Sequence, residues 1–111
     1  MNNDGDLLFV YGSLMDPAER IRVLARVIEA VPARLAGYQR GQKRYYFVAK
    51  LAGAVTPGAV LEGLGPRDFA ILDAYEDVPT LYTRERIEVL TADGRRIECW
   101  IYLPTEWAQA K

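Results

Sequence analysis

The chain has 111 residues, half of them hydrophobic and 26% charged, and its net charge is -1. That length suits one domain with a proper core, so we predict a single domain over residues 1–111, with residues 1–6 flexible. Because basic and acidic residues are interspersed, the charge pattern suggests neither a nucleic-acid nor an anionic-membrane partner.

Two residue counts narrow the chemistry further. The chain has no histidine, which excludes Ser-His-Asp and Cys-His machinery and the usual zinc ligand sets. Its single cysteine excludes an intramolecular disulfide. No stretch approaches membrane-spanning length and the polar start does not resemble a signal peptide, so we expect a cytoplasmic protein. If the chain is an enzyme, its acid/base group must be a carboxylate, Lys, Tyr or Cys.

The first apolar run, Leu7–Tyr11, predicts a buried strand. Gly12 ends the run, and Asp16 followed by Pro17 is a helix-start signal. The sequence therefore predicts a strand, a tight Gly-Ser turn and a helix. The N–H groups of such a turn can converge on a carboxylate or a developing oxyanion. Strand–turn–helix connections that contain a glycine are common, so this one is by itself only weak support for a functional site.

An amphipathic helix is predicted over residues 17–29. Its apolar stripe gives the predicted buried positions: Ile21, Leu24, Ala25 and Ile28. Basic residues fall away from that stripe and are assigned to a solvated face: Arg20, Arg22 and Arg26.

The rest of the chain predicts short strands, two turns and a second helix. Strand-forming stretches occupy residues 33–40, 45–49, 59–64, 82–90 and 96–103. Turns are expected at residues 53–58 and at the Asp93-Gly94 hairpin signature. Gly65-Pro66 starts a second helix over residues 66–76. Six short strands and two helices indicate an α+β domain with a mostly antiparallel, curled sheet or small barrel.

Several polar residues have ordinary structural explanations. Cys99 lies between apolar neighbours, which favours a buried thiol over a nucleophile. The turn setting of Ser13 favours hydrogen bonding over nucleophilic attack. The scattered carboxylates lack metal-loop spacing, so we expect no metal. Five tyrosines are expected in the core or at a pocket rim: Tyr45, Tyr46, Tyr75, Tyr82 and Tyr102.

Glu76 is the strongest candidate for an acid/base group. Helical spacing places it on one stripe with Phe69 and Leu72, so the helix carries a carboxylate to the edge of the core. Desolvation, the negative end of the helix dipole and the nearby Asp73 and Asp77 all favour a raised carboxyl pKa. Such a group approaches the range useful for proton transfer near neutral pH.

Two structural alternatives stay open for Glu76. In the first, the helix ends before Glu76 and the carboxylate is exposed in a loop. In the second, the carboxylate is an ion-pair partner of Arg84 or Arg86. Perturbed groups indicate functional sites only statistically, so the pattern does not choose between these alternatives and catalysis.

Three segments stand out together in order and spacing: Leu8–Leu14, Leu72–Glu76 and Tyr82–Arg84. With them the sequence resembles the γ-glutamylcyclotransferase-like superfamily, in the short bacterial form related to plant AIG2-like proteins. The likeness runs from about Leu7 to Pro104, and it is the order and spacing of the segments that make it specific. It implies a small mixed, mostly antiparallel β-barrel flanked by two helices.

The resemblance also implies roles for the matching residues. Glu76 matches the acid/base glutamate of the family. The substrate-holding loop would consist of Tyr11, Gly12, Ser13 and Leu14, and rim candidates for substrate binding are Tyr45, Tyr46, Tyr82 and Arg84. The sequence departs from the pattern at Asp77, where many relatives carry a small residue, and at the short Met15–Pro17 segment. Both departures affect the expected identity of the substrate more than the expected fold.

The implied reaction is the cyclisation of a γ-glutamyl compound, whose α-amine attacks its own γ-carbonyl and releases 5-oxoproline with an amine or amino acid. Since the substrate supplies the nucleophile, no cofactor or metal is required. The expected partner is a small γ-glutamyl compound, and the protein is expected to be a monomer or a weak homodimer. Two alternatives are a non-catalytic binder of a small carboxylated metabolite and γ-glutamyl removal from a biosynthetic intermediate.

Overall fold

The computed structural model describes residues 7–42 and 46–109. The predicted flexible start, residues 1–6, and Tyr45 lie outside these ranges. The described strands are β1 (Leu8–Val10), β2 (Ala30–Gln42), β3 (Tyr46–Leu61), β4 (Tyr82–Thr91) and β5 (Arg96–Pro104). The described helices are α1 (Pro17–Leu24), α2 (Pro66–Tyr75), α3 (Glu106–Gln109) and a 3-10 helix at Ser13–Met15.

The strands close into a barrel in the order β1-β3-β2-β4-β5. Consecutive strands in that order pair antiparallel. The parallel pairing of β1 with β5 closes the barrel and sets Leu8 opposite Trp100 and Phe9 opposite Ile101. The predicted fold class, an α+β domain with a small mixed, mostly antiparallel barrel and two flanking helices, is confirmed.

The β1 strand is buried on both faces because it separates two apolar layers. One layer is the barrel interior, which includes Phe9, Leu35, Val60, Cys99 and Ile101. The other layer lies between the barrel and the helices and includes Leu8, Val10, Leu24, Phe69 and Leu72. Successive strand residues point to opposite faces, so a strand between two layers needs apolar residues at every position.

The structure has one strand fewer than predicted among the described residues. The predicted turn at residues 53–58 is wrong, because that stretch lies inside β3. β1 pairs with β3 only opposite Ala59, Val60 and Leu61. Pro57 therefore lies beyond the end of the β1 ladder, where a strand tolerates a residue without an N–H. Gly37 lies at a bulge in β2, where its φ angle is 85° and the β2–β3 register shifts.

Helix α1 is shorter than predicted and buries a different face. It ends at Leu24 because Ala25 adopts a left-handed conformation with a φ angle of 61°. Ile21 is 47% exposed and Ala25 is exposed too, so the predicted buried stripe is wrong at these two positions. Arg20 is only 7% exposed, so its assignment to the solvated face is wrong. The buried guanidinium is tolerated because it finds carbonyl acceptors in the preceding 3-10 helix.

The last hairpin matches its prediction. Gly94 N–H donates to Thr91 O at 3.0 Å in the turn between β4 and β5. Cys99 and Ile101 are buried on one face of β5 and Tyr102 on the other. Burial raises the pKa of the Cys99 thiol to about 12, which keeps it protonated and structural.

None of the helices among the described residues has the length and apolar character that a membrane span requires.

Replacing Leu72 with alanine should lower the free energy of unfolding by about 2–5 kcal/mol, because Leu72 is fully buried where α2 packs on the barrel. The matched control is Ile71→Ala, one residue earlier, where the side chain is 36% exposed. Its loss should stay below about 1 kcal/mol. Urea unfolding measures both variants, and equal losses would contradict this packing.

Candidate active site

A cavity of about 420 Å³ lies beyond the end of β1. This volume falls in the range of small-molecule sites. The walls come from the loop after β1, the end of α2 and the start of β4, with further side chains from β2, β3 and β5. Of the predicted site residues, those that line the cavity are Tyr11, Gly12, Ser13, Leu14, Glu76 and Tyr82.

Arg84, the remaining predicted site residue, lies elsewhere. Its guanidinium carbon is 4.6 Å from the ring centroid of Phe69 and 4.9 Å from that of Trp100. Its Nη1 atom is 3.7 Å from Oδ1 of Asp73. Tyr82 and Arg84 share a face of β4, but Arg84 is further along the strand, under α2. The structure therefore places Arg84 in the helix–barrel interface and not among the residues that line the cavity.

The loop after β1 folds into a 3-10 turn and then into α1. Met15 N–H donates to Gly12 O at 3.0 Å, and Asp16 N–H donates to Ser13 O at 3.1 Å. Oδ1 of Asp16 accepts from Ala18 N–H at 3.0 Å, which confirms the predicted helix start. The N–H groups of residues 12–14 precede the first hydrogen bond of this turn, so the turn itself does not use them.

The start of the loop is held by two contacts from the barrel. A Cβ at Gly12 would lie only 3.1 Å from side-chain atoms of Tyr46, so a larger residue would require Tyr46 to shift by a few tenths of an ångström. Nη1 of Arg40 donates to Tyr11 O at 3.0 Å, and its guanidinium lies over the Tyr46 ring at 5.2 Å. These contacts fix the entrance to the turn.

Arg20 holds the other end of the loop, a role that the sequence pattern does not predict. Its Nη1 atom donates to Leu14 O and to Met15 O, both at 3.0 Å. Its Nε atom is buried and has no hydrogen-bond partner in the part of the chain that the structure describes. Helical periodicity assigns Arg20 to solvent, and no local signal distinguishes it from the other arginines of α1.

Glu76 caps the C-terminal end of α2 and is partly buried in the cavity wall. The helix ends one residue earlier than predicted, but Glu76 is not exposed in a loop. Asp77 adopts a left-handed conformation with a φ angle of 57°, and Val78 N–H returns to Asp73 O at 2.9 Å. This is a Schellman end, in which aspartate tolerates the left-handed position. Asp77 is the position at which the sequence departs from the family pattern. Its side chain is exposed and does not line the cavity, so this departure affects the end of α2 and not the cavity wall.

Burial raises the pKa of Glu76 to about 7. The neighbouring carboxylate of Asp73 is engaged elsewhere, since it accepts from the Tyr102 hydroxyl at 2.7 Å and lies beside Arg84. Desolvation is therefore the cause, and like charge is not needed to explain the shift. A carboxyl group that changes charge near neutral pH can both accept and return a proton.

The ion-pair alternative for Glu76 does not hold in the described residues. Arg84 pairs with Asp73, and Nη2 of Arg86 lies 3.0 Å from Oε1 of Glu98.

Tyrosines build much of the wall around Glu76. Four of the predicted candidates line the cavity: Tyr46, Tyr75, Tyr82 and Tyr102. The Tyr11 hydroxyl joins them and donates to Tyr102 O at 2.5 Å, while the Tyr82 hydroxyl donates to Tyr46 O. Burial raises the pKa of both Tyr11 and Tyr102, so these phenols stay neutral.

The sequence matches the family described as gamma-glutamyl cyclotransferase, AIG2-like, over residues 8–111. The chain belongs to this family. An AIG2-like protein C from Arabidopsis thaliana is 35% identical over 101 residues, which cover 86% of this chain and 58% of the relative. A Methanocaldococcus jannaschii protein, named as a gamma-glutamylcyclotransferase with a suggested RNase activity, is 30% identical over 99 residues. That match covers 86% of this chain and 45% of the relative. The chain thus spans about half the length of the curated relatives it matches.

Solved structures share the family fold. A solution structure of an Arabidopsis thaliana protein superposes with a TM-score of 0.84 at 28% identity, covering 97% of this chain and 74% of that one. A structure named gamma-glutamyl cyclotransferase superposes with a TM-score of 0.76 at 23% identity, covering 89% of this chain and 66% of that one. These likenesses confirm the resemblance seen in the sequence at the level of the barrel and its helices.

The raised pKa of Glu76 should make stability depend on pH. In the folded state the carboxyl group of Glu76 keeps its proton up to about pH 7, whereas the ordinary pKa of a glutamate side chain is 4.5. Folding therefore takes up a proton between these values, so the free energy of unfolding falls as pH rises through that window. The loss, relative to Glu76→Gln, should be on the order of 2–3 kcal/mol and level off above pH 7. Urea unfolding from pH 5 to 8 tests this, and parallel curves for the two proteins would refute it.

Proposed function

We propose that this chain is an active γ-glutamylcyclotransferase that converts a small γ-glutamyl compound into 5-oxoproline and a free amine or amino acid. The observation that carries the proposal is the position of Glu76. Its carboxyl group, with a pKa of about 7, forms part of the wall of a cavity of small-molecule size, together with the loop of residues 11–14. Membership of the family supports the reaction class.

The chemistry requires proton transfer and no nucleophile from the protein. The substrate α-amine attacks the γ-carbonyl carbon, the new C–N bond closes a five-membered lactam, and the bond from that carbon to the leaving nitrogen breaks. The α-ammonium first gives one proton to the carboxylate of Glu76, which frees the lone pair that attacks, and the same nitrogen loses a second proton once the new C–N bond has formed. Glu76 gives one proton to the leaving nitrogen, and the other proton goes to solvent. A single carboxyl with a pKa near the working pH suits both steps. No cofactor enters this scheme.

The cavity supplies the rest of the rate enhancement by holding the substrate curled. Correct orientation of an intramolecular attack can contribute ~7–11 kcal/mol. The N–H groups of residues 12–14, which the 3-10 turn leaves unused, are the proposed donors to the substrate α-carboxylate or the tetrahedral oxyanion. Each donor in a comparable oxyanion hole contributes ~2.7–4 kcal/mol. The contacts of Arg20 and Arg40 with the loop carbonyls keep these donors in position.

Replacing Glu76 with glutamine should lower kcat by at least about 10²-fold, because the amide keeps the size of the side chain but cannot move a proton. The measurement is 5-oxoproline release from a panel of γ-glutamyl amino acids, γ-glutamyl amines and glutathione. The matched control is Asp77→Asn, which changes the adjacent, exposed carboxylate and keeps a residue that tolerates the left-handed conformation.

Asp77→Asn should retain wild-type turnover. Retained turnover in Glu76→Gln would remove Glu76 from the mechanism. A folded wild type that turns over no member of the panel would favour the alternatives, either a non-catalytic binder of a carboxylated metabolite or an enzyme for a γ-glutamylated biosynthetic intermediate.

The pH dependence of kcat/KM should follow Glu76. The base must be ionised to accept a proton, so kcat/KM should fall about tenfold per pH unit below about pH 7. A wild-type profile that is flat from pH 5 to 8 would contradict the assignment of Glu76 as the base.

A further inference from the structure

A chain of hydrogen bonds connects the outer side of α1 with the cavity. Oγ of Ser13 lies 2.9 Å from the Tyr75 hydroxyl oxygen. The Tyr75 hydroxyl donates to Oε2 of Glu19 at 2.7 Å. Glu19 also accepts from Nε of Arg22 at 2.9 Å and from Nη2 of Arg22 at 2.6 Å. Ser13 and Tyr75 both line the cavity, so the chain of bonds ends at the proposed substrate site.

The chemistry of Glu19 fixes the direction of every hydrogen bond in this chain. Hydrogen bonds from Arg22 and Tyr75 lower the pKa of Glu19 to about 2, so near neutral pH it is a carboxylate that only accepts. The single Tyr75 proton therefore goes to Glu19, and burial raises the pKa of Tyr75 so that this proton stays in place. The Tyr75 oxygen is left to accept, and the partner that donates to it is the Ser13 hydroxyl.

This direction leaves Ser13 Oγ with lone pairs and no proton to offer to a ligand. Its one proton is used toward Tyr75, and an oxygen of this kind can only accept from anything that binds in the cavity. The α-ammonium of a γ-glutamyl compound carries three donors and no acceptor, as a lysine ammonium does. The two groups are therefore complementary.

We propose that Ser13 Oγ accepts a hydrogen bond from the α-ammonium group of the substrate and selects γ-glutamyl compounds that carry it, with Tyr75 and Glu19 as positioning residues. This inference rests on the proposed function and deepens it by naming the group that is recognised. The bond holds the amine within the same cavity as Glu76, which takes its proton before attack.

The test compares two ligands that differ only in the amino group. One is the γ-glutamyl amide that the wild type turns over best, and the other is the matching glutaryl amide, which lacks the nucleophile and acts as a competitive inhibitor. Ser13→Ala should raise KM for the γ-glutamyl amide about 10- to 100-fold, the range for a lost hydrogen bond to a charged group. The inhibition constant of the glutaryl amide should change less than about twofold, which also shows that the cavity is intact.

Two variants in α1 distinguish an effect of hydrogen-bond direction on KM from an effect of lost helix stability. Glu19→Gln and Arg22→Gln both remove the ion pair at 2.6 Å. Glutamine at position 19 can donate to Tyr75, which frees Tyr75 to donate to Ser13 and turns the Ser13 proton toward the cavity. In Arg22→Gln the carboxylate of Glu19 stays ionised near neutral pH, because an unperturbed glutamate has a pKa of about 4.3.

Glu19→Gln should therefore raise KM for the γ-glutamyl amide, and Arg22→Gln should leave it unchanged. If Ser13→Ala weakens both ligands equally, the serine is only structural and the inference is overturned. If KM is unchanged in Ser13→Ala while the wild type releases 5-oxoproline, the inference fails and the proposed function stands. Absence of 5-oxoproline from the wild type with every γ-glutamyl compound overturns the proposed function itself, and the inference with it.

Discussion

Burial of β1 on both faces is the constraint on which the rest of the molecule depends. Leu8 and Val10 pack toward the helices while Phe9 packs into the barrel, and the same short strand pairs with β3 on one side and β5 on the other. Because β1 belongs to both layers and closes the barrel, the loop that follows it emerges where the layers meet. The cavity lies at that junction, and the end of α2 reaches it because α2 packs on the outer layer.

The charges near the site follow one rule with one exception. Buried or half-buried ionic groups are engaged locally: Arg84 with Asp73, Arg26 with Asp68, and Arg20 with the loop carbonyls. Glu76 is the exception, because it forms no ion pair with any of the described residues. Desolvation raises its pKa to about 7. A paired carboxylate would have its pKa lowered and would be a poor proton carrier near neutral pH. Burial in the cavity wall thus raises the pKa of Glu76, at some expense to stability.

The candidate site was partly predictable from local pattern. Glu76 was identifiable because helical spacing put a carboxylate on the stripe of Phe69 and Leu72, and both of those residues are buried. The loop was identifiable from its glycine and the helix-start signal. Arg20 could not be found in this way, because its burial depends on where the carbonyls of Leu14 and Met15 lie. Arg84 could not be assigned either, since its position along β4 relative to α2 is set by packing.

The sequence by itself determined the local events: the helix starts at Pro17 and Pro66 and the hairpin at Asp93-Gly94. These depend on a residue and its near neighbours. Only the tertiary structure decided that residues 46–61 form one strand, that Arg20 is buried, and that Ser13, Glu19 and Tyr75 meet. Strand pairing, burial and hydrogen bonds between residues up to 91 positions apart arise from long-range contacts, which no local propensity encodes.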